Sequence, residues 1–311
     1  MLPIHFAPLQ GYTEAPYRKA HNALAGGIDT YYTPFIRLEH GKVRHKDLRE
    51  ALPEANEGLR VVPQIIASSC DEFQALADVL LEAGHRQLDF NMGCPFPLQV
   101  RQGRGAGLLQ HRDEAEAILS KITDLTSQGI DVSVKMRLGQ NSVDEGLALI
   151  PSLNAAGLHH VTIHPRLGVE QYKGELHNDL LPDFLSQLTM PVVYNGGINT
   201  VAEIQLIEQK YPTLKGIMIG RGLLACPTLA REYAEGREYS ESERRQVTMQ
   251  MYRQLRTHYD QAIEGGDRQL LLKMQSFFEY LEPLFGHKPI KKVLKAGSLR
   301  NFDEAVANLP R

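Results

Sequence analysis

Eight short apolar runs, most of them separated by helix-like segments, constrain the fold of this chain more than any other feature. Several are almost continuously apolar, as expected for strands buried on both faces of a parallel sheet. Eight strands that alternate with helices are typical of the (β/α)8 barrel, or TIM barrel. An open, doubly wound sheet is the alternative, but no Gly-x-Gly-x-x-Gly motif follows the first run to support it. The runs span residues 4–8, 28–36, 61–66, 87–91, 131–137, 160–164, 191–195 and 216–220.

The segments between the runs have the start signals and periodicity of amphipathic helices. Ser69 with Glu72, and Thr200 with Glu203, have the spacing of an N-terminal capping box. Apolar residues recur at three- and four-residue intervals after both pairs and again within residues 112–128. These patterns predict helices on the outside of the barrel.

The character of the sequence changes near residue 239. Ser240 with Glu243 begins a long helical pattern that ends by Gly265–Gly266, and no later segment resembles a strand. We therefore predict two domains, a barrel over residues 1–238 and a small helical domain over residues 239–311.

Composition points to a globular protein of a reducing compartment. Of the 311 residues, 42% are hydrophobic and 23% charged, and neither a signal peptide nor a membrane-spanning run is evident. The three cysteines, Cys70, Cys94 and Cys226, are widely spaced and form no Cys-x-x-Cys pair. This spacing favours neither disulfides nor a metal site, so we expect a cytoplasmic protein without a membrane segment.

The distribution of charge is uneven along the chain. A formal net charge of −3 argues weakly against a nucleic-acid partner. Five basic residues nevertheless crowd one C-terminal stretch, with no acidic residue among them: Lys288, Lys291, Lys292, Lys295 and Arg300. Either a solvated helix face or a phosphate-binding surface explains this cluster.

Polar residues are concentrated where the predicted strands end. In a TIM barrel these ends surround one mouth, and the chemistry takes place there. A polar group in an apolar strand is costly to bury without partners, and a single one is as easily a satisfied core group as a site residue. Repetition over six strands indicates a site. The candidates are Gln64, Asn91, Lys135, Arg137, His164, Asn195 and, after the last strand, Arg221.

The last two strands each run into a glycine turn, Asn195-Gly196-Gly197 and Gly220-Arg221-Gly222. The loops after strands seven and eight of these barrels commonly bind phosphate, which backbone N–H groups approach closely where side chains are absent. Arg221 adds a fixed positive charge. Together the two turns predict a phosphate-bearing ligand.

Lys135 narrows the choice of ligand. A lysine inside a strand must face a polar partner, and beside a flavin it would stabilise negative charge on the reduced ring. A Schiff-base lysine of an aldolase-type barrel is the competing interpretation. Gln64 and Asn91 can both hydrogen-bond the edge of a flat heterocycle, which favours the flavin.

With these motifs the chain resembles the tRNA-dihydrouridine synthases over about residues 4–235. The tail resembles the C-terminal RNA-binding domain of that family in being helical, more than in any sequence motif. The residues that carry the resemblance are Asp89-Phe90-Asn91-Met92-Gly93-Cys94-Pro95, Gly105-Ala106-Gly107-Leu108-Leu109, Val134-Lys135-Met136-Arg137-Leu138-Gly139, His164, Asn195-Gly196-Gly197 and Gly220-Arg221-Gly222.

The resemblance implies FMN as cofactor, NADPH as reductant and tRNA, or another structured RNA, as substrate; it implies neither a metal nor a protein partner. The FMN site would consist of Pro8, Leu9, Gln64, Lys135, His164, Asn195, Gly197, Gly220 and Arg221. Asn91, Arg137 and Tyr172 would face the flipped-out uracil.

Cys94 would be the catalytic acid of such an enzyme. Hydride from flavin N5 would add to uracil C6, and the enolate character that develops toward C5 requires a proton donor there. A neutral cysteine thiol can supply it. The alternative for Cys94 is a small buried hydrophobe, the common environment of a free cysteine.

The chain departs from the family pattern on the substrate side of the mouth. Residues 96–98 read Phe-Pro-Leu where relatives usually have a lysine, and the following valine is displaced to Val100, with Arg101 and Arg104 beyond it. Pro34 replaces an acidic residue, and residues 164–167 read His-Pro-Arg-Leu instead of His-Gly-Arg-Thr. Two other functions fit the sequence: an FMN oxidoreductase of a free pyrimidine, similar to dihydroorotate dehydrogenases, and a non-catalytic RNA-binding barrel.

Overall fold

The computed structural model describes residues 1–310, and its centre is a nine-stranded parallel sheet. The strand order is β5-β2-β1-β11-β10-β9-β8-β7-β6, and β3 with β4 forms a separate antiparallel hairpin. In chain order, β1 to β11 are Ile4–Phe6, Thr30–Tyr32, Leu38–Glu39, Lys42–Val43, Val61–Val62, Gln64–Ile65, Gln87–Met92, Asp131–Gly139, His160–Leu167, Val192–Asn195 and Gly216–Ile219.

Pro63 explains why nine strands make an eight-stranded barrel. It separates β5 from β6, which are the two halves of the single run predicted over residues 61–66. Proline has no N–H to give to a ladder, so the regular pairing breaks at that residue. Its carbonyl still accepts a hydrogen bond from the N–H of Asp89 at 2.9 Å. Because β5 pairs with β2 and β6 with β7, the sheet closes, and the predicted TIM barrel is confirmed.

Helices alternate with the strands and continue after the last one. They are α1 to α16, in chain order Ala15–Leu24, His45–Arg49, Cys70–Glu82, Pro97–Arg101, Arg112–Ser127, Asp144–Leu147, Ile150–Ala155, Leu181–Leu185, Val201–Lys210, Arg221–Ala225, Leu229–Glu235, Glu241–Ala262, Gly266–Phe278, Glu282–Phe285, His287–Leu294 and Leu299–Ala307. Two short 3-10 helices lie at Pro53–Asn56 and Gly105–Gln110. None of the helices within residues 1–310 has both the length and the apolar character needed to cross a membrane.

Capping explains where several helices begin. The capping boxes of Thr200 with Glu203 and of Ser240 with Glu243 are both complete. At α3 the Ser69 hydroxyl accepts the N–H of Glu72, but the Glu72 carboxylate accepts from the N–H of Ser68 instead of completing the box. Glu72 is turned that way because the same carboxylate also pairs with Arg104.

The C-terminal helices pack directly on the barrel. Apolar residues of β1 and of α16 belong to one continuous buried cluster. Arg244 of α12 pairs with the buried Glu232, and Lys273 of α13 pairs with Glu14 at 2.6 Å and donates to the carbonyl of Gly11 at 3.0 Å. No strand follows β11 within the described residues, and the division at residue 238 stays a prediction.

Candidate active site

Buried side-chain hydrogen bonds link β6, β7 and β8, from Asn91 at the mouth down to Ser133 near the start of β8. Asn91 Nδ2 donates to Gln64 Oε1 at 2.7 Å, and Gln64 Nε2 donates to Asp89 Oδ2 at 2.6 Å. The hydroxyl of Ser133, on β8, donates to the other oxygen of Asp89 at 2.6 Å. Burial raises the pKa of Asp89 to about 6, which these donors and Lys135 partly counteract. These hydrogen bonds fix the orientation of both amides, and each amide nitrogen keeps a second N–H.

Asn91 also positions the loop that carries Cys94. Its Oδ1 accepts the N–H groups of Gly93 at 3.0 Å and of Cys94 at 2.8 Å. Residues 105–106 hold the loop from the other side: the N–H of Ala106 donates to the carbonyl of Cys94 at 3.0 Å. Gly105 has φ of 59°, and a Cβ there would lie 2.7 Å from that same carbonyl oxygen, so only glycine fits.

The thiol of Cys94 is held neutral. Burial raises its pKa above the ordinary value, although a backbone hydrogen bond of Phe96 and the positive charges of Lys135 and Arg137 act in the opposite direction. A neutral thiol is the protonation state that a proton donor requires. The geometry therefore fits the predicted acid better than it fits a thiolate nucleophile.

Lys135 is a cation without an acidic partner. Its ammonium forms no hydrogen bond or ion pair within residues 1–310, although it lies close enough to Asp89 and Cys94 for their charges to affect it. Burial, and then repulsion by Arg137, lower the pKa of Lys135 to about 8, so the ammonium is the major form at neutral pH. A partly buried cation in this position is stabilised when an anionic or electron-rich group binds beside it.

Arg137 joins two loops of the mouth. Its Nε donates to the carbonyl of Gly93 at 3.0 Å, and its Nη1 donates to the carbonyl of Leu167, at the end of β9, at 2.8 Å. The guanidinium carbon also lies 5.3 Å from the centre of the Tyr172 ring, and that of Arg221 lies 4.5 Å from the same centre. Tyr172 is thus held beside two cations by cation–π contacts while 46% of it remains exposed.

His164 is a neutral histidine with a defined tautomer. Arg166 can only donate, so its 2.9 Å contact with His164 Nε2 makes that nitrogen the acceptor. The proton therefore resides on Nδ1, which donates to Asn195 Oδ1 at 3.2 Å. Burial and three nearby cations hold the pKa of His164 well below its usual value. Asn195 in turn donates to the carbonyl of Met218, which ties β10 to β11.

The two glycine turns lie side by side at the ends of β10 and β11. Gly197 has φ of 61°, a left-handed conformation that favours glycine. A Cβ on Gly220 would contact the side chains of Ala7 and Leu9 at 3.4 and 3.5 Å, so the loop after β1 packs against this turn. Pro8 and Leu9, in that loop, are partly exposed. Arg221, which follows Gly220, has no ion-pair partner in the described part of the chain.

The structure brings the predicted site residues to one end of the barrel, where three further residues have supporting roles that the sequence did not reveal. Asp89 and Ser133 orient Gln64, and Arg166 sets the tautomer of His164. The signal for Asp89 was its position two residues before Asn91, which places both on the same face of a strand. Arg104, which the sequence placed on the substrate side, is instead buried and paired with Glu72.

A closed parallel barrel with a neutral thiol, unpaired cations and paired glycine turns at its mouth has the organisation of a TIM-barrel enzyme. Comparison with known proteins defines the family. The model of the dihydrouridine synthase family matches residues 5–308, and the chain belongs to that family.

Curated relatives agree with this assignment. The chain is 31% identical over 248 residues to a tRNA-dihydrouridine(16) synthase of Pseudomonas syringae, with 77% of each chain covered. It is 30% identical to tRNA-dihydrouridine synthase B of Pasteurella multocida, with 73% of this chain and 68% of the relative covered. It is 29% identical to probable tRNA-dihydrouridine synthase 2 of Bacillus subtilis, with 76% and 73% covered.

Solved structures show the same barrel fold in more distant proteins. Morphinone reductase superposes with a TM-score of 0.54 at 11% identity, over 78% of this chain and 88% of its own. A histamine dehydrogenase from Rhizobium gives the same TM-score and identity over 75% of this chain and 46% of its own. At such identities the likeness extends to the fold alone.

Proposed function

We propose that this protein reduces uridine to 5,6-dihydrouridine in tRNA, with FMN as its bound cofactor and NADPH as reductant. The observation that carries the proposal is Lys135, a partly buried ammonium without an acidic partner, on the strand beside the one that leads to the Cys94 thiol. This pairing of cation and neutral acid is suited to a reaction that places negative charge at one atom and a proton at another. Membership of the dihydrouridine synthase family supports the choice of substrate.

The mouth fits FMN at both ends of the molecule. Arg221 and the turns at Gly197 and Gly220 suit the phosphate, while Lys135 and the fixed amide of Gln64 suit the polar edge of the ring system. The residues that would hold the cofactor are Pro8, Leu9, Gln64, Lys135, His164, Asn195, Gly197, Gly220 and Arg221. When bound, FMN would supply the hydride that adds to C6 of uracil.

The residues of the chain itself supply orientation and the proton. The stacked side chains of Arg137 and Tyr172 would flank the uracil, and the second amide N–H of Asn91 would point to its edge. Cys94 would hold its proton on Sγ at C5 and release it as electron density grows there. Burial favours this neutral thiol at physiological pH.

Substitution of the thiol tests this mechanism. We expect Cys94→Ala to keep its yellow colour and its oxidation of NADPH but to stop reducing uridine, since only the proton to C5 is lost. Cys70→Ala, at the first turn of α3, is the matched control and should retain full activity. A fully active Cys94→Ala enzyme would remove the thiol from the mechanism, and a wild-type protein that binds no FMN would refute the cofactor.

The RNA partner would be held by the helical tail, in the region predicted as residues 239–311. Four of its lysines are exposed and have no acidic partner within residues 1–310: Lys288, Lys291, Lys292 and Lys295. Arg300, the fifth member of the cluster, is paired with Glu304. Unpaired exposed cations on one short stretch suit phosphate contacts.

Mapping of dihydrouridine in RNA from cells that lack this protein would identify the substrate directly. Loss of dihydrouridine at one tRNA position is the expected result, and a cytoplasmic location follows from that substrate. Parallel assays with NADPH and NADH would test the choice of reductant. Turnover of a free pyrimidine without RNA would favour the small-molecule alternative.

A further inference from the structure

Exposed apolar side chains concentrate around the mouth of the barrel. Seven large hydrophobic residues within residues 1–310 are exposed; four of them follow β7 and β9 in the chain, and the other three are Met1, Leu206 and Leu272. The exposed fractions of the four are 59% for Phe96, 45% for Leu98, 55% for Val169 and 46% for Tyr172. Apolar surface gathered at one place on a protein commonly marks a binding site.

Phe96 and Leu98 are carried by an ordered segment. The carbonyl of Phe96 accepts the N–H groups of Gln99 at 2.9 Å and of Val100 at 3.0 Å, which starts the short helix α4. Prolines at positions 95 and 97 fix the backbone on either side of Phe96. Beyond α4, the ion pair of the buried Arg104 with the partly exposed Glu72 anchors the end of the loop. The phenyl ring therefore projects from a rigid support.

The segment that carries Phe96 is connected to the predicted catalytic residue through the backbone and through hydrogen bonds. Phe96 follows Cys94 by two residues, and its backbone hydrogen bond contributes to the pKa of that thiol. Arg137 bonds both Gly93, just before Cys94, and Leu167, just before the loop of Val169 and Tyr172. We call the exposed side chains of Phe96, Leu98, Val169 and Tyr172 the apolar rim. A ligand that covers this rim would therefore lie next to a ligand bound beside Cys94.

The chemistry of the rim selects the kind of occupant. Arg101, at the end of α4, is exposed and has no ion-pair partner within residues 1–310. An aromatic ring at the N-cap of α4 and a free cation at the end of that helix match a nucleotide, which presents a flat π-face and a phosphate. Aromatic side chains that bind nucleic acid stack on bases that are already unpaired.

We propose that Phe96, flanked by Leu98, stacks on an unpaired base next to the uridine that is reduced, and that Arg101 contacts the adjoining phosphate. The proposal rests on the function proposed above. Stacking at this position holds the neighbouring nucleotide outside the site while the target base lies beside Cys94. Phe96 is thereby a specificity-determining residue that touches the substrate but takes no part in proton transfer.

The test uses the full-length FMN-loaded protein and tRNA purified from cells that lack it. We expect Phe96→Ala to lower kcat/KM for this tRNA at least tenfold and to weaken tRNA binding, with NADPH oxidation unchanged. Phe96→Trp should retain near wild-type values because a larger ring still stacks, whereas Phe96→Leu should behave like alanine. Leu206→Ala, an equally exposed apolar residue on α9, is the matched control and should have no effect.

The outcomes separate this inference from the function on which it rests. An unchanged kcat/KM in Phe96→Ala overturns the stacking role, as does an equal loss in the tryptophan and alanine variants. A wild-type protein that binds FMN but reduces no uridine in this tRNA refutes the proposed function itself. Retention of tRNA binding with a kcat effect alone would place Phe96 in the chemistry and contradict the inference.

Discussion

Lys135 and Arg221 show at the residue scale how unpaired charge organises the mouth. Both are cations without an acidic partner in the described chain, whereas Arg104, ten residues beyond Cys94, is neutralised by Glu72. The sequence predicted the position of both cations, because the order of strands and helices alone shows which residues lie at the carboxyl ends of the strands. It could not assign the partners of Asn91, because Oδ1 accepts from the following loop and Nδ2 reaches a different strand.

The pKa of Lys135 leads to a prediction about cofactor binding. Because that pKa is lowered to about 8, the ammonium is lost as the pH rises past 8. If only the charged form binds FMN well, the apparent Kd should rise up to about eightfold between pH 7.5 and 9.0. Fluorescence titration of the FMN-free protein measures this change. Lys135→Met should bind more weakly at pH 7.5 and show no such rise; a flat wild-type profile would contradict the role of the ammonium.

The loop between Cys94 and Gly105 shows at the scale of elements how a site is held by its supports. Sequence patterns predicted the flanking strand and helices. They did not predict the short helix α4 or the ion pair of Arg104, because that ion pair is made with Glu72 of α3, far away in the chain. The same limit applies to the run over residues 28–36, of which only Thr30–Tyr32 is a strand. Beyond β2, Ile36 rejoins the sheet as an isolated bridge to Ile65.

Loss of the Glu72 carboxylate should loosen this loop. Glu72 holds Arg104 and the N–H of Ser68, and its pKa lies below the ordinary value because these donors outweigh burial. We expect Glu72→Gln to lower the free energy of unfolding by about 2 kcal/mol, since Arg104 would remain largely buried without its partner. Urea denaturation measures this. Glu116→Gln removes the exposed partner of Arg112 and should cost less than about 0.5 kcal/mol; equal losses would contradict the pinning role.

The whole molecule combines a barrel and a helical tail around one continuous core. The sequence predicted both parts from their patterns, since apolar periodicity reports which faces are buried. It gave no indication of the seam between them, where Tyr12 of the loop after β1 bonds Glu279 and its ring packs against Tyr280 at 5.3 Å. Contacts of this kind join residues far apart in the chain, and no local pattern encodes them.

Charge reversal in the tail tests its role in RNA binding. We expect the double substitution Lys291→Glu and Lys292→Glu to abolish salt-sensitive tRNA binding without loss of FMN, because the phosphate contacts are lost far from the cofactor site. Filter binding over a range of salt concentrations measures this. The matched control reverses Lys210 and Lys215, which are exposed near the start of β11, opposite the mouth. Equal losses in both variants would mean that net charge alone governs binding.

Buried histidines should make the fold sensitive to acid. Burial is the main cause that lowers the pKa of His5 and His21 to about 4 and that of His160 to about 3. Below pH 6.5 the unfolded chain therefore takes up protons that the folded chain does not, and stability falls as the pH decreases toward 4. Each histidine contributes about 1.4 kcal/mol per pH unit, and the raised pKa of Asp89 offsets part of the sum.

His164, whose pKa is also held well below its usual value, adds to the sum. Urea unfolding at pH 7.5 and 5.5 would measure this loss, which we expect to be about 4–5 kcal/mol. His21→Gln should reduce the difference between the two pH values, whereas His258→Gln, at an exposed position of α12, should leave it unchanged. Equal stability of the wild-type protein at both pH values would contradict the prediction.

The contacts between tail and barrel restrict how a helical tail can be transferred from one relative to another. Glu14 and Gly11, which Lys273 contacts, belong to the loop after β1 that also packs against the Gly220 turn. A tail grafted from a relative would therefore meet a foreign surface unless this loop is transferred with it. Chimaeras that move residues 9–14 together with the tail should fold and keep their cofactor more often than those that move the tail alone. Recombination among relatives would, for the same reason, inherit the two segments as a linked pair.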